Sequence, residues 1–160
     1  VAVFRYSVAR EVSMSNAGRI GERAEARFEG GLYCAEAVLT ELAAAMGRDD
    51  PAIPRIATGM CAGVARCGAT CGALSGAVMA IGLHRGRDDA AGSVEPAFAA
   101  ASALVDRFTA LHGEIGCGAL TGCDLRTPEG QARFEDTGQH ERCARYCRDA
   151  ARIAAEILEL

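Results

Sequence analysis

Apolar residues return every three or four positions along most of this chain, and the stretches in which they do so predict helices. From about Ala17 to Phe28, Ile20, Ala24 and Phe28 recur with Arg and Glu between them, and Gly30 and Gly31 end the run. A second helix is expected from about Leu32 to Met46, with Cys34, Val38, Leu42 and Ala45 on one face beside Ala35 and Leu39. Gly47 is its C-terminal signal. The four prolines, at 51, 54, 96 and 128, stand at or just before apolar-periodic stretches, where a missing N–H costs nothing. They predict a short helix after Pro54, a longer one from Glu95 to His112, and a short one from Pro128 to Asp136. In the longer one Phe98, Ala101, Val105, Phe108 and Leu111 are expected to face inward. A Gly-rich passage from Gly59 to Gly68 leads into a helix from about Thr70 to His84, and one helical turn is expected between Glu114 and Thr127. The last helix, about Gln139 to Leu158, carries Cys143, Tyr146, Cys147, Ala150, Ile153, Ala154 and Ile157 on one stripe.

No stretch alternates apolar and polar residues for more than a few positions, and Val, Ile and Thr never cluster. The reading is an all-α, single-domain helical bundle of about five to seven helices with a Gly-rich, Cys-bearing central segment. Residues 1–16 read as an N-terminal extension, a read-through upstream of Met14 or a disordered arm, and residues 17–160 as one helical, cysteine-rich domain. At 160 residues, folding removes roughly 70% of the unfolded chain's surface from water, so no covalent staple is needed.

Composition changes this picture in three ways. Lys is absent and all 17 basic residues are Arg, which excludes a lysine Schiff base, a P-loop lysine or an amine base. The net charge of −4, with Arg scattered, speaks against a nucleic-acid partner. The longest uncharged stretch, Cys67 to Leu83, holds four Gly and is flanked by Arg66 and Arg85, so a buried helix is expected there and no membrane span. With no secretory signal in the opening residues, a cytoplasmic location, where thiols stay reduced, is the expectation.

The third change is the eight cysteines: 34, 61, 67, 71, 117, 123, 143 and 147. None forms C-x-x-C, so the thioredoxin-type, zinc-ribbon and haem-attachment motifs are missing, as is the bacterial ferredoxin run. Cys143 and Cys147 are one helical turn apart, with Cβ atoms expected roughly 5–6 Å from each other. That suits a shared metal better than a disulfide, and His140 lies on the same face as Cys143. Thr70 reads as an N-cap that places Cys71 in the first helical turn, where free N–H groups and the helix dipole favour a thiolate. Cys71 is therefore the expected low-pKa thiol, with Cys67 or Cys117 as its resolving partner. Gly68, Gly72, Gly76 and Ala80 recur every four residues and give a smooth face against which a backbone, or a cluster held by cysteines, can lie close. Gly63 to Thr70 has the P-loop spacing, but Ala69 stands where its Lys belongs and no strand precedes it.

Four segments carry a resemblance: Y-C-A-E-A-V-L at Cys34, C-G-A-L-S-G-A-V-M-A-I-G-L at Cys71, G-C-G-A-L-T-G at Cys117, and C-A-R-Y-C-R-D-A-A at Cys143. Together, over about residues 17–158, they resemble the family of putative redox-active proteins designated C_GCAxxG_C_C, defined by four cysteines in this order. The resemblance implies a small helical cytoplasmic redox protein in which Cys34, Cys71, Cys117 and Cys143 are the family's positions. An iron–sulfur cluster is the cofactor it makes available, and related helical modules in electron-transfer proteins are thought to bind such centres. The chain departs from the family at Tyr33, where Asn is usual, and at Cys61, where Gly is common. Cys61, Cys67, Cys123 and Cys147 are then extra.

Three functions follow as expectations. The four family cysteines converge on an iron–sulfur cluster or a thiolate-bound metal such as zinc, for electron transfer. Alternatively, Cys71 and Cys67 carry thiol–disulfide chemistry, or Cys143, Cys147 and His140 serve a non-enzymatic metal sensor or buffer. A redox partner protein is implied without being named by any residue, and self-association is left open.

Overall fold

The computed structural model describes residues 14–160. Among these residues the chain is all-α, with α1 (Asn16–Glu29), α2 (Cys34–Ala45), α3 (Ala52–Ala57), α4 (Gly72–Arg85), α5 (Glu95–His112), α6 (Cys117–Thr121), α7 (Pro128–Asp136) and α8 (Gln139–Leu158). The expected helices are all present, and the count rises to eight through the short α3 and α6. The extension at residues 1–13 lies outside the described residues, and the start expected near Ala17 falls at Asn16, after Ser15, whose Oγ accepts the Gly18 N–H at 3.1 Å. Thr127 caps α7 in the same way, accepting from Gly130 N–H at 3.0 Å.

Helix α8 is the hub: it packs on α1, α2, α4 and α5, and α2 packs in turn on α1, α3 and α4. Its alanines at 144, 150, 151, 154 and 155 are all buried, so neighbouring backbones approach closely. The Gly72, Gly76, Ala80 stripe does the same for α4 against α2. A Cβ on Gly76 would lie 2.5 Å from the Ala35 carbonyl oxygen, and one on Gly72 would overlap Cys34 Sγ. Glu41 of α2 is 2% exposed and is held by two guanidinium groups of α1: Arg23 Nε donates to Oε1 at 2.5 Å and Arg27 Nε to Oε2 at 2.7 Å.

The inward face of α5 differs from the expectation. Phe98 and Leu111 are 64% and 53% exposed; Phe108 is buried as expected, Ala101 and Val105 are partly buried, and Ala100 and Leu104 are the further residues that face inward. The helix carries two apolar stripes, and the one with Ala100, Leu104 and Phe108 is the one that meets the core, where α5 packs on α4 and α8.

Between α3 and α4 the backbone turns left-handed. After the 3-10 turn Thr58–Met60, residues 62, 63, 64, 65 and 66 all have φ between +50° and +70°. Ala65 N–H donates to Cys61 C=O at 2.9 Å and Cys67 N–H to Val64 C=O at 3.0 Å, closing one left-handed turn. Such a conformation costs an L-residue about 1–2 kcal/mol, and Ala62, Val64, Ala65 and Arg66 all bear it. Gly63 has no alternative, since a Cβ there would lie 2.5 Å from Cys117 Cβ and 2.9 Å from the Ala69 nitrogen and oxygen.

Candidate functional site

Each of the four family cysteines begins or nearly begins a helix. Cys34 is the first residue of α2, Cys117 the first of α6, Cys71 the N-cap of α4, and Cys143 lies in the second turn of α8. Thr70 is not the cap that the sequence suggested. It is held extended in an antiparallel bridge to Gly116, and the cap passes to the next residue. In that bridge Cys71 N–H donates to Ile115 C=O and Cys117 N–H to Ala69 C=O, each at 2.7 Å, with Gly118 N–H donating to Gly68 C=O at 3.1 Å. The left-handed turn passes beneath this ladder, its Gly63 against Cys117.

The result is a cavity of about 540 Å³ on whose wall Cys34, Cys71, Cys117 and Cys143 all lie. His140 lies on it too, stacked on Phe28 with ring centroids 4.7 Å apart. Tyr33 and Tyr146 also line it, as do Arg66, Gln131 and Glu135, which no sequence signal marked because the segments that bring them there are distant along the chain. Tyr146 ties α8 to α6 by donating its hydroxyl to Leu120 C=O at 3.4 Å.

The extra cysteines lie elsewhere. Cys67, which is exposed, and Cys123, which is buried, line a separate open depression with Asp124 and Arg126. Cys61 and Cys147 are buried behind the cavity wall, and Cys147 Sγ lies 3.9 Å from the Cys34 carbonyl oxygen. All eight thiols are free. Among the described residues no three His, Cys, Asp or Glu side chains are grouped to hold one metal ion, so Cys143, Cys147 and His140 make no ready-made site.

The thiol expected to be acidic is not. Burial pushes Cys71 up to about 11, and the amides of Ala73 and Leu74, which favour the thiolate, offset this only in part. Burial also raises Cys143, to about 12, helped by the nearby Cys71 and Cys117 thiols. Cys117 and Cys147 are raised for the same reason. A helix start favours a thiolate only where water or a cation also reaches it, and the sequence could not show how deeply Cys71 lies.

Residues 32–157 match the family model described as putative redox-active protein (C_GCAxxG_C_C). The chain belongs to this family. No curated protein and no solved structure matches it. Membership in C_GCAxxG_C_C agrees with the resemblance read from the four cysteine segments, and it makes the chain a member of a family described as redox-active. No helix among the described residues is long and apolar enough to cross a membrane.

Proposed function

We propose that this C_GCAxxG_C_C protein transfers electrons through an iron–sulfur cluster held by Cys34, Cys71, Cys117 and Cys143. The observation that carries the reading is their common position on one cavity of about 540 Å³, reached from four separate segments. A single tetrahedral ion needs its donors about 2.3 Å from one point, and no such group exists among the described residues, whereas a polyatomic cluster spans more widely spaced thiols. When bound, such a cluster supplies one-electron chemistry.

The chain's own residues suit an anionic guest. Helices α2 and α4, of 12 and 14 residues, both start at the cavity and present their positive ends to it, and Arg66 adds a cation to the wall. Phe28, Leu120, Leu125 and Phe134 supply apolar walls that restrict water. Four thiols on one cavity would repel one another once ionised, so a metal-bearing group is what allows them to be thiolates together. The test is anaerobic reconstitution of the full chain with iron and sulfide, followed by optical and paramagnetic-resonance spectra. A reducible visible band is expected, and a colourless product overturns the reading.

A further inference from the structure

Cys61 is an extra cysteine that sits against a family one, Cys34. The left-handed turn starts at Cys61, immediately after α3 and its 3-10 extension, and lays it against the first turn of α2. There its thiol meets the thiol of Cys34 and faces the N–H groups of Ala35 and Glu36, and it donates to Ala57 C=O at 3.6 Å. Both residues rest on the bare Cα of Gly72: a Cβ at that position would overlap Cys34 Sγ and lie 3.3 Å from Cys61 Cα. Gly72 is what lets the two cysteines sit together. Their surroundings differ in a way that assigns order. Cys34 is half-buried and lines the cavity, while Cys61 is 6% exposed and lies behind it.

We infer that Cys34 and Cys61 form a dithiol–disulfide couple, with Cys34 the entering thiol that meets a small disulfide in the cavity and Cys61 the resolving thiol behind it. The steps balance with a low-molecular-weight disulfide, RSSR, as the oxidant. Cys34 gives up its proton and attacks one sulfur of RSSR; a Cys34–S–SR bond forms as the S–S bond of RSSR breaks, and RS⁻ leaves and takes up that proton. Cys61 then gives up its proton and attacks Cys34 Sγ, the mixed disulfide breaks, and the second RS⁻ leaves as RSH. The protein loses two hydrogens and two electrons, and RSSR becomes two RSH.

This couple needs no bound metal and uses Cys34 only while no cluster occupies it, so it is tested on the metal-free chain, where failure to assemble a cluster does not affect the outcome. The test treats the full chain, kept with a chelator, with oxidised glutathione and maps the products by mass spectrometry after cleavage at Arg. The peptides 28–48 and 56–66 each contain one cysteine, so a bridge between Cys34 and Cys61 is read directly. Wild type is expected to give that bridge with no glutathione retained on Cys34 or Cys61, whatever the exposed Cys67 takes up. Cys61→Ser is expected to stop with glutathione on Cys34, and Cys34→Ser to leave Cys61 unmodified. Cys61→Ala, checked for helical content, repeats the measurement should the serine disturb the fold. Retention of glutathione on Cys34 in the wild type, or a bridge from Cys34 to Cys71 or Cys147, overturns the proposal.

Discussion

Cys71 and Cys117 are locked side by side by reciprocal backbone bonds, each donating its N–H to the carbonyl of the residue two places before the other, at 2.7 Å. Two cysteines far apart in sequence thereby reach the same cavity without any covalent link. That arrangement brings thiols together while leaving them protonated, and its consequences can be measured.

Cluster assembly should improve as pH rises. Cys71 and Cys143 titrate at about 11 and about 12, above the ordinary thiol value, so at neutral pH both hold protons that must leave before the sulfur can bind metal. Each displaced proton makes binding about tenfold tighter per pH unit below the thiol's pKa. Iron bound per chain, measured at limiting iron between pH 6.5 and 9, is expected to climb, and a flat profile contradicts the assignment.

Alkylation should find Cys67 first. It is the exposed thiol, whereas Cys61, Cys71 and Cys147 are buried. Labelling followed by mass spectrometry is expected to modify Cys67 well before those three, and the rate at Cys71 is expected to keep rising up to about pH 11. Fast modification of Cys71 at neutral pH would restore the acidic thiol that its place in the sequence suggested.

The left-handed turn sets opposite outcomes for neighbouring residues. Gly63→Ala adds a Cβ 2.5 Å from Cys117 Cβ at a φ of +66°, and a loss of about 3 kcal/mol is expected in denaturant unfolding. Ala65→Gly, at an exposed site with φ +50°, relieves strain and should gain about 0.5–1 kcal/mol after the entropy cost of glycine. Equal effects of the two changes would mean that the turn is not left-handed.

Glu41 depends on its two arginines. Replacing Arg23 and Arg27 together by Met leaves a carboxylate that is 2% exposed without a partner, for an expected loss of about 3 kcal/mol. Adding Glu41→Met to that variant is expected to recover most of the loss in a thermal melt, since the buried charge is then gone. No recovery would mean that the arginines act through packing alone.

Helix positions were legible because their signals are local. The 3.6-residue recurrence of Ile20, Ala24 and Phe28, the prolines at helix starts, and Gly47 and Gly113 after helix ends need no tertiary information. The cysteines that share the cavity were legible only as a set of segments, because the C-G-A-L-S-G signature marks a place in the chain and not a place in space. Burial was not legible: Thr70 has the right residue type for a cap, but the bridge to Gly116 takes its backbone and moves Cys71 into the interior. Nor was the placement of Cys61 beside Cys34 on Gly72, which follows from a left-handed turn at alanine, valine and arginine positions where only Gly63 has the expected preference. Phe98 shows the same limit from the other side, since periodicity identifies an apolar stripe without saying which of two stripes meets the core.

The account's central claim is that Cys34, Cys71, Cys117 and Cys143 share one redox group. Iron and acid-labile sulfide per chain, measured after anaerobic reconstitution of the wild type and of single serine variants, tests it most directly. The account predicts that replacing any of these four removes most of the bound iron and sulfide, while Cys67→Ser and Cys123→Ser, in the separate depression, retain wild-type amounts. A wild type that binds neither element, or variants at Cys71 and Cys117 that load as fully as the wild type, would contradict it.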